Sequence, residues 1–148
     1  MRTCKEVMTS DPVCCRPQDN AVLAAKLMKK ENIGSVPVCE ENPDKRLLGI
    51  ITDRDLAIQV VAEGRDPKTV KVQEVMTGQP FTCKADDDVQ KALDAMEMHQ
   101  IRRIPVVDSS DRLIGIIAQA DVATRLKDPQ KLADVVEEVS RPSTMRAG

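Results

Sequence analysis

Apolar positions in this chain come in short clusters that recur in a fixed order. Residues 12–16 are strand-like. Behind Asp19 and Asn20, either of which can cap a helix, Val22, Leu23, Leu27 and Met28 fall at helical spacing. Two β-like runs follow, at 35–39 and 46–51, across the turn formers Glu41-Asn42-Pro43-Asp44; this predicts a hairpin. A second helix is expected over 53–62, ended by Gly64. The order then returns. Residues 81–84 read as a strand, and Asp86-Asp87-Asp88 places acids at the start of a helix lined by Val89, Leu93 and Met96, where the helix dipole favours them. A hairpin is predicted from 103–107 and 113–117, and 121–126 opens a last helix.

The recurrence is literal as well as periodic. Val7-Met8-Thr9 returns 68 residues later as Val75-Met76-Thr77, and Ile33-Gly34-Ser35-Val36-Pro37-Val38 returns at the same interval as Ile101-Arg102-Arg103-Ile104-Pro105-Val106. Leu48-Gly49-Ile50-Ile51 returns after 66 residues as Ile114-Gly115-Ile116-Ile117. The two-residue difference falls in the predicted hairpin loop, where insertions are tolerated. The expected organisation is a first repeat over 1–64, a linker over 65–74, a second repeat over 75–127 and a C-terminal segment over 128–148. In that last segment 131–139 could form a short helix, and the polar stretch from Ser140 is expected to be disordered. A lone unit of about 60 residues buries too little surface to be comfortably stable, so the repeats are expected to form one module.

Composition narrows the chemistry. Phe81 is the one aromatic residue, so the core must be aliphatic and any bound base must lie between aliphatic groups. The net charge is −2 with basic residues dispersed, which argues against nucleic acid. No apolar run approaches a membrane span, and the N-terminus lacks the apolar stretch of a signal peptide, so no membrane partner and a cytoplasmic location are expected. The five cysteines, Cys4, Cys14, Cys15, Cys39 and Cys83, include no C-x-x-C pair and accompany a single histidine, His99, so zinc spacing is absent. They read as small thiols in a reducing compartment; adjacent Cys14 and Cys15 are the only support for a metal or redox role.

The ordered double occurrence of Val-Met-Thr and of hydrophobic-Pro-Val at 36–38 and 104–106, with Gly-Ile-Ile-Thr-Asp-Arg-Asp at 49–55, resembles the tandem cystathionine-β-synthase (CBS) domain pair, also called a Bateman module, of the small standalone bacterial type. The resemblance covers roughly residues 3–126. It implies an α/β (α+β) fold of two β-α-β-β-α repeats packed about a pseudo-twofold axis, assembled as a homodimer. It also implies clefts for AMP, ADP, ATP or a related adenosyl ligand, with Mg2+ as an accompanying ion. The nucleotide is then a regulatory ligand rather than a catalytic cofactor.

Individual residues can be weighed against that implication. At Gly49-Ile50-Ile51-Thr52-Asp53-Arg54-Asp55 a strand runs directly into a helix, whose N-terminus offers free N–H groups to an anion. Thr52 can donate to a phosphate or ribose oxygen, Asp55 can accept two neighbouring ribose hydroxyls, and Arg54 suits a phosphate. Thr52 and Asp55 also have the spacing of a capping box, and both readings stay open. In the second repeat Ala118 replaces Thr52 while Asp121 retains the acid, which fits ribose binding and dipole stabilisation alike. Arg102 and Arg103 are either phosphate ligands, as at matching positions of related nucleotide-sensing subunits, or charges on an exposed strand edge. Val13, Val36, Pro37, Val38, Ile104, Pro105 and Val106 are expected beside the base or in ordinary core packing. Met8 and Met76 line a cleft wall or fill core.

The favoured reading is an adenine-nucleotide sensor, catalytically inert, that controls an effector protein in trans. The alternatives are a sensor of S-adenosylmethionine or another adenosyl ligand, a dimerisation scaffold with degenerate clefts, and a thiol-based metal or redox sensor. An enzyme is disfavoured because no nucleophile–base set and no P-loop is present.

Overall fold

Both predicted hairpins form, and each becomes the centre of a separate sheet. The computed structural model describes residues 2–120 and 122. Asp121, most of the helix expected to begin there, and the whole of 128–148 lie outside the described residues. Those described divide into two compact units: Val13–Pro80, and residues 2–12 together with those from 81 onward.

In the unit of residues 13–80, β2 (Ser35–Cys39) and β3 (Leu47–Thr52) pair antiparallel, and β4 (Thr77–Gly78) pairs with the far edge of β3. The strand expected at 12–16 is reduced to a single parallel bridge between Cys15 and Val38. Helix α2 (Ala21–Glu31) starts where the side chain of Asn20 accepts the N–H of Leu23 at 2.9 Å, and it ends at Asn32 in the left-handed conformation, φ 55°. Its buried face, Ala21, Ala24 and Met28, closes on Val36, Val38 and Ile51. The segment read as a linker takes part in this core. Val70 and Val72 are buried, held by hydrogen bonds from Ala21 N–H to Val70 O (2.9 Å) and from Val72 N–H to Asp19 O (2.7 Å). One-turn helix α4 (Val72–Val75) follows. The helix expected at 53–62 forms as α3 (Asp53–Leu56) running into a π-helical turn, Ala57–Val61.

The other unit repeats the plan. β6 (Arg103–Val107) and β7 (Leu113–Ala118) form the hairpin, β5 (Cys83–Lys84) lies parallel to β6, and β1 (Thr9–Ser10) pairs with β7. Helix α5 (Val89–His99) is capped by Asp88, whose carboxylate accepts the N–H of Gln90 at 3.1 Å. Leu93 and Met96 pack on Ile104, Val106 and Ile117. Phe81 stacks on His99, with ring centroids 3.6 Å apart. One-turn helix α1 (Cys4–Val7) is tied down by hydrogen bonds from Cys4 and Lys5 N–H to the carbonyls of Asp87 and Ala85.

The short strands reveal an exchange. The first Val-Met-Thr leads into β1, which pairs with β7 of the second repeat, while the second leads into β4, which pairs with β3 of the first. Thr9 faces Ile116 and Thr77 faces Ile50. Each sheet is thus completed by a segment distant in sequence. Among the described residues no helix is long and apolar enough to cross a membrane.

Candidate functional site

In each unit a hairpin strand ends beside the start of the hairpin's partner strand, and the two junctions share a backbone design. In the first repeat Ser35 lies opposite Thr52, and the carbonyl of Gly34 accepts the N–H of Asp53 at 2.9 Å. In the second, Arg103 lies opposite Ala118, and the carbonyl of Arg102 accepts the N–H of Gln119 at 2.9 Å. Each junction gathers two chain segments at one sheet edge, which is why the motif residues meet despite their separation in sequence.

At the first junction Thr52 and Asp55 form a complete capping box. Thr52 Oγ1 accepts the Asp55 N–H at 3.0 Å, and Asp55 Oδ2 accepts the Thr52 N–H at 3.0 Å. One of the two open readings is therefore realised. The box does not exhaust the carboxylate, because no described residue donates to Oδ1 of Asp55. Both side chains are half-buried and Arg54 is exposed. Asp53 caps locally, its Oδ1 accepting the Arg54 N–H at 2.8 Å. Its Oδ2 would stand 3.1 Å from a Cβ at Gly34, so a bare backbone there keeps the junction tight.

The second junction carries no hydroxyl at Ala118, and Asp121 lies outside the described residues. Arg102 is exposed and Arg103 half-buried at the start of β6. The arginines thus stand at the junction of one unit and the Thr52–Asp55 box at that of the other.

The apolar candidates divide by strand face. Val36, Val38, Ile104 and Val106 are at most 1% exposed and belong to the cores of their own units. Their side chains are already enclosed, because alternate residues of β2 and β6 point toward α2 and α5. Pro37 and Pro105 are buried on the opposite strand faces, and Val13 is 36% exposed. Met8 and Met76, both half-buried, press on Gly115 and Gly49.

The thiols carry an arrangement that composition concealed. Cys14 stands beside Cys39 and Cys4 beside Cys83, and the Cys4 and Cys83 thiols donate to the carbonyls of Asp88 (3.9 Å) and Pro105 (4.0 Å). Adjacent Cys15 is buried, and burial pushes its thiol up to about 12. Alternation along 12–16 and 35–39 is the signal that could have placed Cys14 and Cys39 on one face, opposite Cys15 and Val38. Among the described residues no group of three or more His, Cys, Asp or Glu side chains is arranged to hold a metal ion.

Comparison with known proteins agrees with this architecture. The CBS domain family model matches twice, over residues 4–61 and 72–128. Hypoxic response protein 1 of Mycobacterium tuberculosis is 36% identical over 128 residues, 86% of this chain and 87% of its own length. A crystal structure of Hypoxic Response Protein I with two coordinated zinc ions superposes with TM-score 0.75 at 35% identity, covering 84% of this chain and 98% of that one. The CBS domain pair of protein MJ0100, in complex with 5'-methylthioadenosine and S-adenosyl-L-methionine, superposes with TM-score 0.72 at 27% identity, covering 85% and 96%.

Proposed function

The chain belongs to the CBS domain family, and on that premise we propose that it is a non-catalytic regulatory module whose ligand is an adenine nucleotide. The observation that carries the reading is the Thr52–Asp55 junction. Its carboxylate is fixed in orientation by the capping box yet keeps one oxygen free of any described donor. A carboxylate so held can accept ribose hydroxyls with little further loss of side-chain freedom. Arg54 at this junction, and separately Arg102 with Arg103 at the junction of the second repeat, offer positive charge of the kind a phosphate requires, which favours a nucleotide over an uncharged adenosine derivative. The relative MJ0100 supports an adenosyl ligand as the class. With Val36, Val38, Ile104 and Val106 enclosed in their cores, the base meets exposed Val13 and backbone groups.

Binding shifts the module between two packings, and an effector protein in trans reads the difference. A ligand does this only through unequal affinity for the two states. The module works as a homodimer in the cytoplasm. The direct test is a melting curve of nucleotide-free protein with and without AMP, ADP or ATP. A ligand that binds the folded state raises the midpoint with concentration. A midpoint that moves with none of them argues for the second reading, a dimerisation scaffold. That alternative is favoured by one observation, that the capping box already gives Thr52 and Asp55 a structural role.

A further inference from the structure

Cys14 and Cys39 stand on the same face of a parallel strand contact. Its register is fixed by Cys15, which donates its N–H to Pro37 O at 2.8 Å and accepts the N–H of Cys39 at 2.9 Å. Side chains alternate along a strand, so Cys15 and Val38 turn into the core while Cys14 and Cys39 turn the other way. There the two thiols hydrogen-bond, Cys39 buried and Cys14 partly exposed. The Cys39 hydrogen bond lowers the Cys14 thiol to about 6, helped by Lys45 and Arg16 and opposed by burial and Asp19. The same bond, with burial, holds Cys39 protonated.

We propose that Cys14 is a reactive thiol with Cys39 as its resolving partner, a dithiol that small organic disulfides convert to an intramolecular Cys14–Cys39 disulfide. The Cys14 thiolate attacks one sulfur of the disulfide RSSR, and the RS–SR bond breaks. The departing thiolate takes up a proton as RSH, leaving Cys14–S–SR. With Cys14 no longer a thiolate, the hydrogen bond that held the proton on Cys39 is gone. Cys39 loses that proton to solvent and attacks the Cys14 sulfur, expelling the second RS−, which is protonated in turn. Two protein thiols are oxidised by two electrons and RSSR is reduced to two RSH. Bridging these residues staples the 13–16 segment to β2, next to Val13 and Pro37.

The Cys4–Cys83 pair is a built-in comparison. Here too the neighbouring Cys83 thiol lowers Cys4, against burial, Asp87 and Asp88, but both residues are buried, at 0% and 2% exposure, and each thiol lies against a backbone carbonyl, Cys4 at Asp88 and Cys83 at Pro105. Thiol exchange needs both thiolate and access, so this pair is inert in the folded chain.

The test is alkylation of the full reduced chain by iodoacetamide across pH, followed by peptide mapping with fragment ions that separate Cys14 from Cys15. The expected result is modification of Cys14 ahead of the other four, with a rate that levels off above a midpoint of about 6. Treatment with oxidised glutathione should then give a Cys14–Cys39 cross-link in the wild type. It should give a stalled glutathione adduct on Cys14 in Cys39→Ser and no oxidation at either position in Cys14→Ser. Should Cys39→Ser fail to fold, Cys39→Ala replaces it, and the wild-type map stands without either. The proposal is overturned by a Cys14 rate still climbing at the ordinary thiol pKa of about 8.5, by labelling no faster than at Cys4 or Cys83, or by absence of the Cys14–Cys39 cross-link.

Discussion

Gly49 and Thr77 touch through bare backbone. A Cβ on Gly49 would stand 2.6 Å from the Thr77 carbonyl oxygen and 3.0 Å from the Met76 sulfur. Gly115 has the matching relation to the other exchanged segment, where a Cβ would collide with the Met8 sulfur and lie 3.0 Å from the Thr9 carbonyl oxygen. Each glycine admits the Val-Met-Thr segment of the opposite repeat to its strand, which explains why Gly-Ile-Ile and Val-Met-Thr occur as a pair of motifs.

Gly49→Ala and Gly115→Ala are therefore expected to destabilise the fold, each by about 1–3 kcal/mol, the usual cost of overpacking a well-packed site. Gly49 should suffer more, because its nearest obstacle is backbone, whereas a methionine side chain can yield. Gly78→Ala is the control, with nothing within 4 Å of its added Cβ. Chemical denaturation of the three variants checks this. Equal stability of Gly49→Ala and Gly78→Ala would contradict the exchange as a close-packed contact.

The capping box sets a second expectation. Thr52→Ala should cost about 1 kcal/mol of stability, as loss of an N-cap hydroxyl does, while Thr52→Ser should restore most of it. Asp55→Asn keeps an acceptor for the Thr52 N–H and should leave the melting temperature nearly unchanged. It is thus the variant that separates a ligand role from a structural one.

Acid stability follows from three surface carboxylates. The Lys84 N–H holds the Asp87 carboxyl below its usual range, with Lys91 alongside. The Arg112 N–H does the same for Asp108, joined by the Ser110 N–H and the Arg112 guanidinium. The Lys71 N–H and Arg65 lower Glu74. A carboxyl depressed in the folded state contributes stability that is full above its unfolded pKa and lost as pH falls through its folded pKa. Denaturation midpoints should accordingly stay flat near neutrality and fall below the ordinary carboxylate range of about 4. Asp108→Asn and Asp87→Asn should each flatten that fall.

Much of this was legible in the chain. The hairpin strands 35–39 and 103–107 were delimited by β-branched runs next to turn formers, the first helix by its cap at Asn20 and the second by the acids 86–88 at its start. These are local signals. The exchange of β1 and β4 was not legible, because pairing between segments distant in sequence leaves no mark in either one. The one-turn helices α1 and α4 are too short for periodicity to register. Val70 and Val72 were read as linker because they fall between the two repeats, yet alternation buries the two valines. At the candidate site the sequence brought Thr52 and Asp55 together but left the capping box and the ribose contact unresolved, since both require the same spacing.

Calorimetric titration of AMP, ADP and ATP into nucleotide-free protein, wild type beside Asp55→Asn, tests the central claim most directly. Saturable binding of at least one nucleotide to the wild type is expected. Affinity should be about 10-fold or more weaker in Asp55→Asn, the loss expected when a charge-assisted hydrogen bond worth about 1.5–3 kcal/mol is removed. Flat titrations with a folded wild-type protein, or equal affinity in Asp55→Asn, would contradict it.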